Sequence, residues 1–128
     1  MKKILVVRSR YNNTIDLLRS AVKVLKGKKI QYTILEVNGA FEIPVALARN
    51  IKKFDGFIAL GIIIKGETPN FDFISQAITN GLINLSILSK KPIGNGLITC
   101  FNNKQARERK DNGKEAAEAV IDVLKPKG

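Results

Sequence analysis

The chain has 128 residues, of which 45% are hydrophobic, and its 22 lysine and arginine residues outnumber the 11 acidic ones, which gives a formal net charge of +11. The length fits a single domain spanning 1–128, and no apolar run approaches the ~20 residues of a membrane-spanning helix. The absence of histidine excludes a Ser-His-Asp or Cys-His nucleophile and removes the commonest metal ligand.

Strand and helix patterns alternate along the chain, which predicts a three-layer α/β/α sandwich with a four-stranded parallel sheet in flavodoxin-like order. Continuous apolar runs predict buried strands, and apolar residues at three- and four-residue spacing predict helices. In chain order we predict a strand over 4–7, a helix over 14–25, an edge strand over 30–37, a helix over 41–51, a central strand over 57–64, a long helix over 71–88, a strand over 93–99, a short helix over 103–109 and a closing helix over 114–124.

The same spacing predicts the buried faces of the two longest C-terminal helices. The buried side of the helix over 71–88 is predicted to consist of Ile74, Ala77, Ile78, Gly81, Leu82 and Leu85. That of the closing helix is predicted to consist of Ala116, Ala119, Val120 and Val123.

The lone cysteine, Cys100, excludes an internal disulfide, and we interpret it as a structural residue. The apolar run that opens the chain ends at Val7 without a small-residue cleavage site, so it indicates a strand and not a signal peptide. These features predict a cytoplasmic protein. The positive charge favours anionic substrates.

Ligands of parallel sheets bind beyond the carboxyl ends of the strands, so the loops that follow the strands are the candidate site. After the second strand, Gly39 and Ala40 permit close backbone approach to a flat ligand, and Glu42 falls in a first helical turn. Taken alone, this segment is more typical of a tight turn with a carboxylate at a helix start.

The loop after the third strand leads into a helix for which Thr68 is a suitable N-cap and Pro69 a suitable first residue. Free N–H groups at such a helix start bind anions, and Lys65 and Gly66 lie next to it in the sequence. The alternative is an ordinary capped core helix.

Together, the segments 39–44 (GAFEIP) and 66–72 (GETPNFD) resemble the two signature loops of the lumazine synthase family. Further matches lie at 10–12, 96–99 and 105–109, in the same order along nearly the whole chain. The resemblance implies a condensation of 5-amino-6-(D-ribitylamino)uracil with a dihydroxybutanone phosphate to 6,7-dimethyl-8-ribityllumazine, a step of riboflavin biosynthesis, without metal or organic cofactor.

The resemblance also implies roles for particular residues. Tyr11 would stack on the pyrimidine. The residues that would hold the pyrimidine and its ribityl chain are Ala40, Phe41, Glu42, Ile62, Ile63 and Ile64. Backbone N–H groups of Glu67 and Thr68 would bind the phosphate, and Arg109 would clamp it, with Arg107 as a close competitor for that role.

Three positions depart from the family pattern. Asn70 occupies the place of the proton-transferring histidine, Asn95 that of an aromatic residue, and Asn112 that of a lysine. An amide is not a general base, and a positioned base contributes ~10²–10⁴-fold to a rate. We therefore expect a slow enzyme in which Asn70 orients a reactant or water, and Lys114 is a candidate to replace the lysine.

The resemblance implies an assembly in which sites lie between neighbouring subunits, with Asn95 and Arg109 reaching across the boundary. Because the first predicted strand begins almost at the start of the chain, we expect a homopentamer in preference to a larger shell. Two other functions are open. One is a non-catalytic relative that binds flavin-like ligands or serves in assembly, which the three departures favour. The other is a nucleic-acid-binding protein, which the charge favours but the scattered lysine pairs do not.

Overall fold

A computed structural model describes residues 2–66 and 71–125, and these form one parallel sheet with helices on both faces. The strands are β1 (Lys3–Ser9), β2 (Gln31–Val37), β3 (Gly56–Ile64) and β4 (Ile93–Cys100). The helices are α1 (Ile15–Gly27), α2 (Ile43–Arg49), α3 (Phe71–Ser89), α4 (Asn103–Glu108) and α5 (Asn112–Leu124). The strand order β2-β1-β3-β4 confirms the predicted three-layer, flavodoxin-like architecture. None of the helices among these residues has the length and apolar character to traverse a bilayer.

Strand β3 is the centre of the core, as its uninterrupted apolar sequence predicted. Each of its nine residues is buried, and it pairs with β1 on one side and β4 on the other. Strand β2 lies at the sheet edge, as its polar interruptions indicated. Ala59 of β3 pairs in register with Val7 of β1 and Asn95 of β4. Because these strands are parallel, their carboxyl ends lie at the same edge of the sheet.

The side chains of the strands alternate between two packing layers, because successive residues of a strand point to opposite faces. Ile4, Val6 and Ile58 pack with α1 and α5 on one face. Leu5 and Val7 pack with α2 and α3 on the other. Each face thus has its own hydrophobic cluster.

The helix predicted over 41–51 is wrong in its bounds. The chain first makes a short 3-10 turn over Ala40–Glu42, and α2 then runs only from Ile43 to Arg49. Pro44 explains the late start, because proline suits the first turn of a helix and not its interior. Ile51 lies beyond the helix and packs half-buried against the α2 and α3 cluster.

The buried face predicted for the closing helix is also partly wrong. Ala119 and Val123 are exposed, whereas the buried residues of α5 are Gly113, Ala116, Ala117 and Val120. Gly113 explains the rotation: a Cβ atom there would lie 2.1 Å from the Leu17 carbonyl oxygen of α1. Only glycine, which has no Cβ atom, permits the two helices to approach so closely.

The face predicted for α3 is confirmed at its centre and wrong at one position. Ile78 and Leu82 are buried, and Ile74, Gly81 and Leu85 are half-buried. Ala77 is exposed.

Candidate active site

The topology places a crevice at the carboxyl ends of β1 and β3. The chain leaves β1 toward the β2 edge and leaves β3 toward the β4 edge, so the loops after these neighbouring strands diverge. Ligands of open parallel sheets bind where two such connections diverge. The structure therefore offers a binding position formed by the loops that the sequence analysis singled out.

A pocket of about 250 Å³, which we call the site pocket, opens in this crevice. It brings together six residues that the sequence resemblance selected for pyrimidine binding, namely Tyr11, Ala40, Phe41, Ile62, Ile63 and Ile64. Most of its lining is apolar or aromatic, as is usual for pockets that hold small organic ligands. These residues come from three separate loops and strand ends, so the fold and not sequence proximity assembles them.

Tyr11 is held at the rim of the site pocket by its backbone. Its N–H donates to the Asn38 carbonyl at 2.8 Å, and the side chain of Arg10 donates to the amide oxygen of Asn38. The loops after β1 and β2 are thereby joined. The Tyr11 side chain is 60% exposed, which leaves a face of the ring accessible to a flat ligand.

The loop after β2 is fixed by a reciprocal pair of hydrogen bonds. The Gly39 N–H donates to Oε1 of Glu42 at 2.9 Å, and the Glu42 N–H donates to the Gly39 carbonyl at 3.1 Å. This arrangement satisfies groups at the helix start and sets the position of Ala40 and Phe41. Glu42 itself does not line the site pocket. Glu42 therefore has the alternative role named above, that of a carboxylate at a helix start.

Two residues of the site pocket, Asn12 and Ile74, have no predicted binding role from the sequence. Asn12 has φ of 60°, and its amide nitrogen donates to the Ile62 carbonyl at 3.1 Å. It therefore ties the loop after β1 to the end of β3. The available signal was the residue type, because asparagine tolerates positive φ better than most side chains. Ile74 was expected only as part of a buried helix face.

Arg109 and Asn95 are not brought to the site pocket of their own chain. The Arg109 guanidinium donates from Nη1 to the Thr99 carbonyl at 2.8 Å, at the end of the edge strand β4. Asn95 is exposed in the middle of β4, and its amide oxygen accepts the Leu97 N–H at 3.0 Å. Its register partner, Ala59, lies three residues before Ile62, a separation of about 10 Å along the strand.

Glu67, Thr68 and Asn70 lie outside the described residues. The predicted phosphate-binding backbone and the departure from the family histidine therefore remain predictions from the sequence. The described parts on either side are the end of β3 at Ile64 and the start of α3 at Phe71.

The fold and this site define a class: an α/β protein with a small-molecule pocket at the carboxyl end of a parallel sheet. The family model for 6,7-dimethyl-8-ribityllumazine synthase matches residues 1–127. The chain therefore belongs to the 6,7-dimethyl-8-ribityllumazine synthase family.

Individual relatives agree with this assignment. The chain is 37% identical to the 6,7-dimethyl-8-ribityllumazine synthase of Cutibacterium acnes over 95% of this chain and 80% of that protein. It is 40% identical to the one from Clavibacter michiganensis over 93% of this chain and 81% of that protein. For the Bartonella bacilliformis protein the identity is 38%, over 94% and 87% respectively.

Proposed function

We propose that this protein is a 6,7-dimethyl-8-ribityllumazine synthase, a transferase of riboflavin biosynthesis. The observation that carries the proposal is the site pocket, in which six residues selected by the resemblance meet although they are separated in sequence. Membership of the family supports the same reaction. The substrates are small molecules, and we propose that the protein works as one domain in the cytoplasm.

The proposed reaction joins an amine of the ribitylaminouracil to the ketone of the four-carbon phosphate. The amine attacks the carbonyl carbon, phosphate leaves, and the ring closes to the lumazine. Tyr11 offers a ring face to the pyrimidine, and the strand end over 62–64 forms the facing wall. Holding the two reactants side by side supplies a large part of the barrier reduction, because it removes the entropy cost of bringing them together.

Phosphate binding in this proposal uses the backbone N–H groups of Glu67 and Thr68 together with an arginine. A guanidinium matches the geometry of a phosphate group with two parallel hydrogen bonds. We assign this role to Arg109. Its side chain is exposed at the β4 edge of the sheet, where a neighbouring subunit could present its own site pocket.

We further propose a homopentamer in which Asn95 and Arg109 of one subunit complete the site pocket of the next. Two observations support an assembly of this kind. Neither residue lines the pocket of its own chain, and both lie on or beside the edge strand β4. Helix α3 also exposes large apolar side chains, which in monomeric proteins are usually single and scattered.

Asn70 makes this chain an unusual member of its family in the proposal. An amide can donate and accept hydrogen bonds but does not take up a proton at neutral pH. We therefore expect turnover to be slow and to depend on orientation of the reactants. The amine nucleophile and the phosphate leaving group make such a reaction feasible without a strong base.

The proposal is tested by measuring lumazine formation optically with purified protein and both substrates. We expect a rate above that of buffer alone. Arg109→Gln should lower kcat/KM by about 10- to 100-fold, the effect of losing a charged hydrogen bond of roughly 1.5–3 kcal/mol. Lys104→Gln removes the same charge from an exposed position on α4 and is the matched control.

A rate equal to that of buffer would contradict catalysis and favour the non-catalytic relative. In that case ligand binding would still be expected at the site pocket, and it can be measured by fluorescence titration with the product. Failure of both measurements would end the proposal.

A further inference from the structure

A second pocket, which we call the polar pocket, lies at the same end of the sheet on the α1 and α4 side. Its volume is about 340 Å³, in the range of pockets that hold small metabolites. Among the described residues, the two pockets share only Asn12 and Ile62. The polar residues that line it are Asn12, Asn13, Asp16, Asn103, Arg107 and Lys110.

The charges of the polar pocket favour an anion. Arg107 and Lys110 both line it, and within residues 2–66 and 71–125 neither forms an ion pair. The one acidic residue of the lining, Asp16, pairs with Arg19 at 3.7 Å. Two cations thus face a cavity in which the described chain supplies no partner for them. The net charge of +11 raises the local concentration of anions further.

The segment that carries Lys110 is anchored to α1. The Ser20 hydroxyl lies 2.9 Å from both the Lys110 and the Leu17 carbonyl oxygens, between which its one proton is shared, and it accepts the Lys114 N–H at 3.1 Å. One side chain of α1 therefore contacts both the turn between α4 and α5 and the first turn of α5. Such anchoring lowers the entropy cost of binding, because the backbone that bears the cation is already ordered.

Amide side chains add hydrogen-bond donors to the two cations. The Asn13 amide oxygen accepts the Ile15 N–H at 3.1 Å, which leaves its nitrogen as the donor group. Asn103 stands at the first position of α4. Several N–H donors beside an arginine and a lysine match the acceptor oxygens of a phosphate group.

We propose that the polar pocket is a second anion site that binds a small phosphate-bearing compound, independently of the site pocket. The site uses Arg107 and Lys110 for the phosphate charge and the amides of Asn13 and Asn103 for orientation. It is distinct from the phosphate position assigned to Arg109, whose guanidinium is bound to the Thr99 carbonyl and does not line the polar pocket.

The test is a titration of the full chain with inorganic phosphate, followed by backbone amide NMR shifts, against sodium chloride at matched ionic strength. Phosphate should shift the amides of residues 13, 103 and 107 with a saturable curve, and chloride should not. Arg107→Gln and Lys110→Gln should each weaken binding by about tenfold, as expected for the loss of one charged hydrogen bond. The double variant should show no saturable shift at the amides of residues 13 and 103, which report on the polar pocket.

Two variants separate this site from its surroundings. Lys104→Gln removes a charge from the same helix without touching the polar pocket, and Arg109→Gln removes the cation of the proposed reaction. Both should leave unchanged the dissociation constant that is read from the amides of residues 13 and 103. Wild-type affinity in Arg107→Gln and Lys110→Gln, loss of binding in Arg109→Gln alone, or equal shifts with chloride would each overturn the proposal. The lumazine assay is independent of these results, so the two proposals can fail separately.

Discussion

The two helical layers of the molecule differ in how closely they pack and in how much apolar surface they expose. On one face, α5 approaches α1 and the sheet at backbone distance: a Cβ atom at Gly94 would lie 2.4 Å from the Ala116 carbonyl oxygen. Among the described residues of α1, α4 and α5, Val123 is the only large apolar side chain that is strongly exposed. On the other face, α2 and α3 expose five such side chains, namely Val45, Phe73, Ile83, Ile87 and Leu88.

The two layers therefore differ in whether one chain buries their apolar surface. The α1 and α5 layer buries its apolar surface against its own sheet, with glycines that permit close packing. The α2 and α3 layer borders the site pocket, and its outer face keeps apolar area in contact with water. Apolar surface of this kind is typical of a region that contacts another molecule. The comparison therefore predicts separable effects of substitutions in the two layers.

The largest effect is expected where α5 meets α1. Gly113→Ala places a Cβ atom against the Leu17 carbonyl oxygen and should destabilise the fold by about 3 kcal/mol, the upper end for overpacking. Gly27→Ala is the control, because a Cβ atom there would meet no described atom within 4 Å beyond its chain neighbours and its own helix backbone. Urea unfolding measures both. Equal midpoints for the two variants would show that α5 is not held at backbone distance.

A gain of function is expected next, at the position that departs from the family. Asn70→His should raise kcat by about 10²-fold, the low end of what a positioned base contributes, and should add a pH step near ~6.5 to the rate. Asn80→His, on the exposed side of α3, is the matched substitution and should change neither. An unchanged rate in Asn70→His would mean that proton transfer at this position does not limit turnover.

Removing the ring of Tyr11 should have a smaller effect on the same reaction. Tyr11→Ala should raise the KM for the pyrimidine by about tenfold, because a stacked aromatic contact and its buried area are lost. Tyr11→Phe keeps the ring face and should remain close to the parent protein. Steady-state kinetics with varied pyrimidine distinguishes them, and equal KM values for the alanine and phenylalanine variants would exclude stacking.

An effect of the same size as that at Tyr11 is expected on self-association. Ile83→Lys places a charge on the exposed apolar face of α3 and should weaken assembly by about tenfold, the cost of losing one buried aliphatic side chain. Val123→Lys makes the same change on α5 and should leave the oligomer intact. Light scattering over a concentration series measures both. Dissociation by Val123→Lys with no response to Ile83→Lys would reverse the comparison of the two layers.

The sequence predicted the sheet and most of the site pocket, because both follow from local patterns. The apolar run of β3 predicts a central strand without any knowledge of its neighbours. The motif residues Tyr11 and Ala40 meet because the parallel sheet brings the loops after β1 and β2 together. The face of α5 was mispredicted, because alanine spacing is ambiguous and the contact at Gly113 is a tertiary feature. Arg109 and Asn95 could not be placed from one chain, because their proposed partner is a neighbouring subunit.

In our proposal, the site pocket holds the pyrimidine while a neighbouring copy completes the site. A crystal structure with a pyrimidine substrate analogue that carries a phosphate mimic tests it most directly. We expect the ring to lie against Tyr11, between the loop after β2 and the end of β3, with the mimic bound by Arg109 of an adjacent subunit. An analogue bound elsewhere, with the site pocket empty in every subunit, would contradict it.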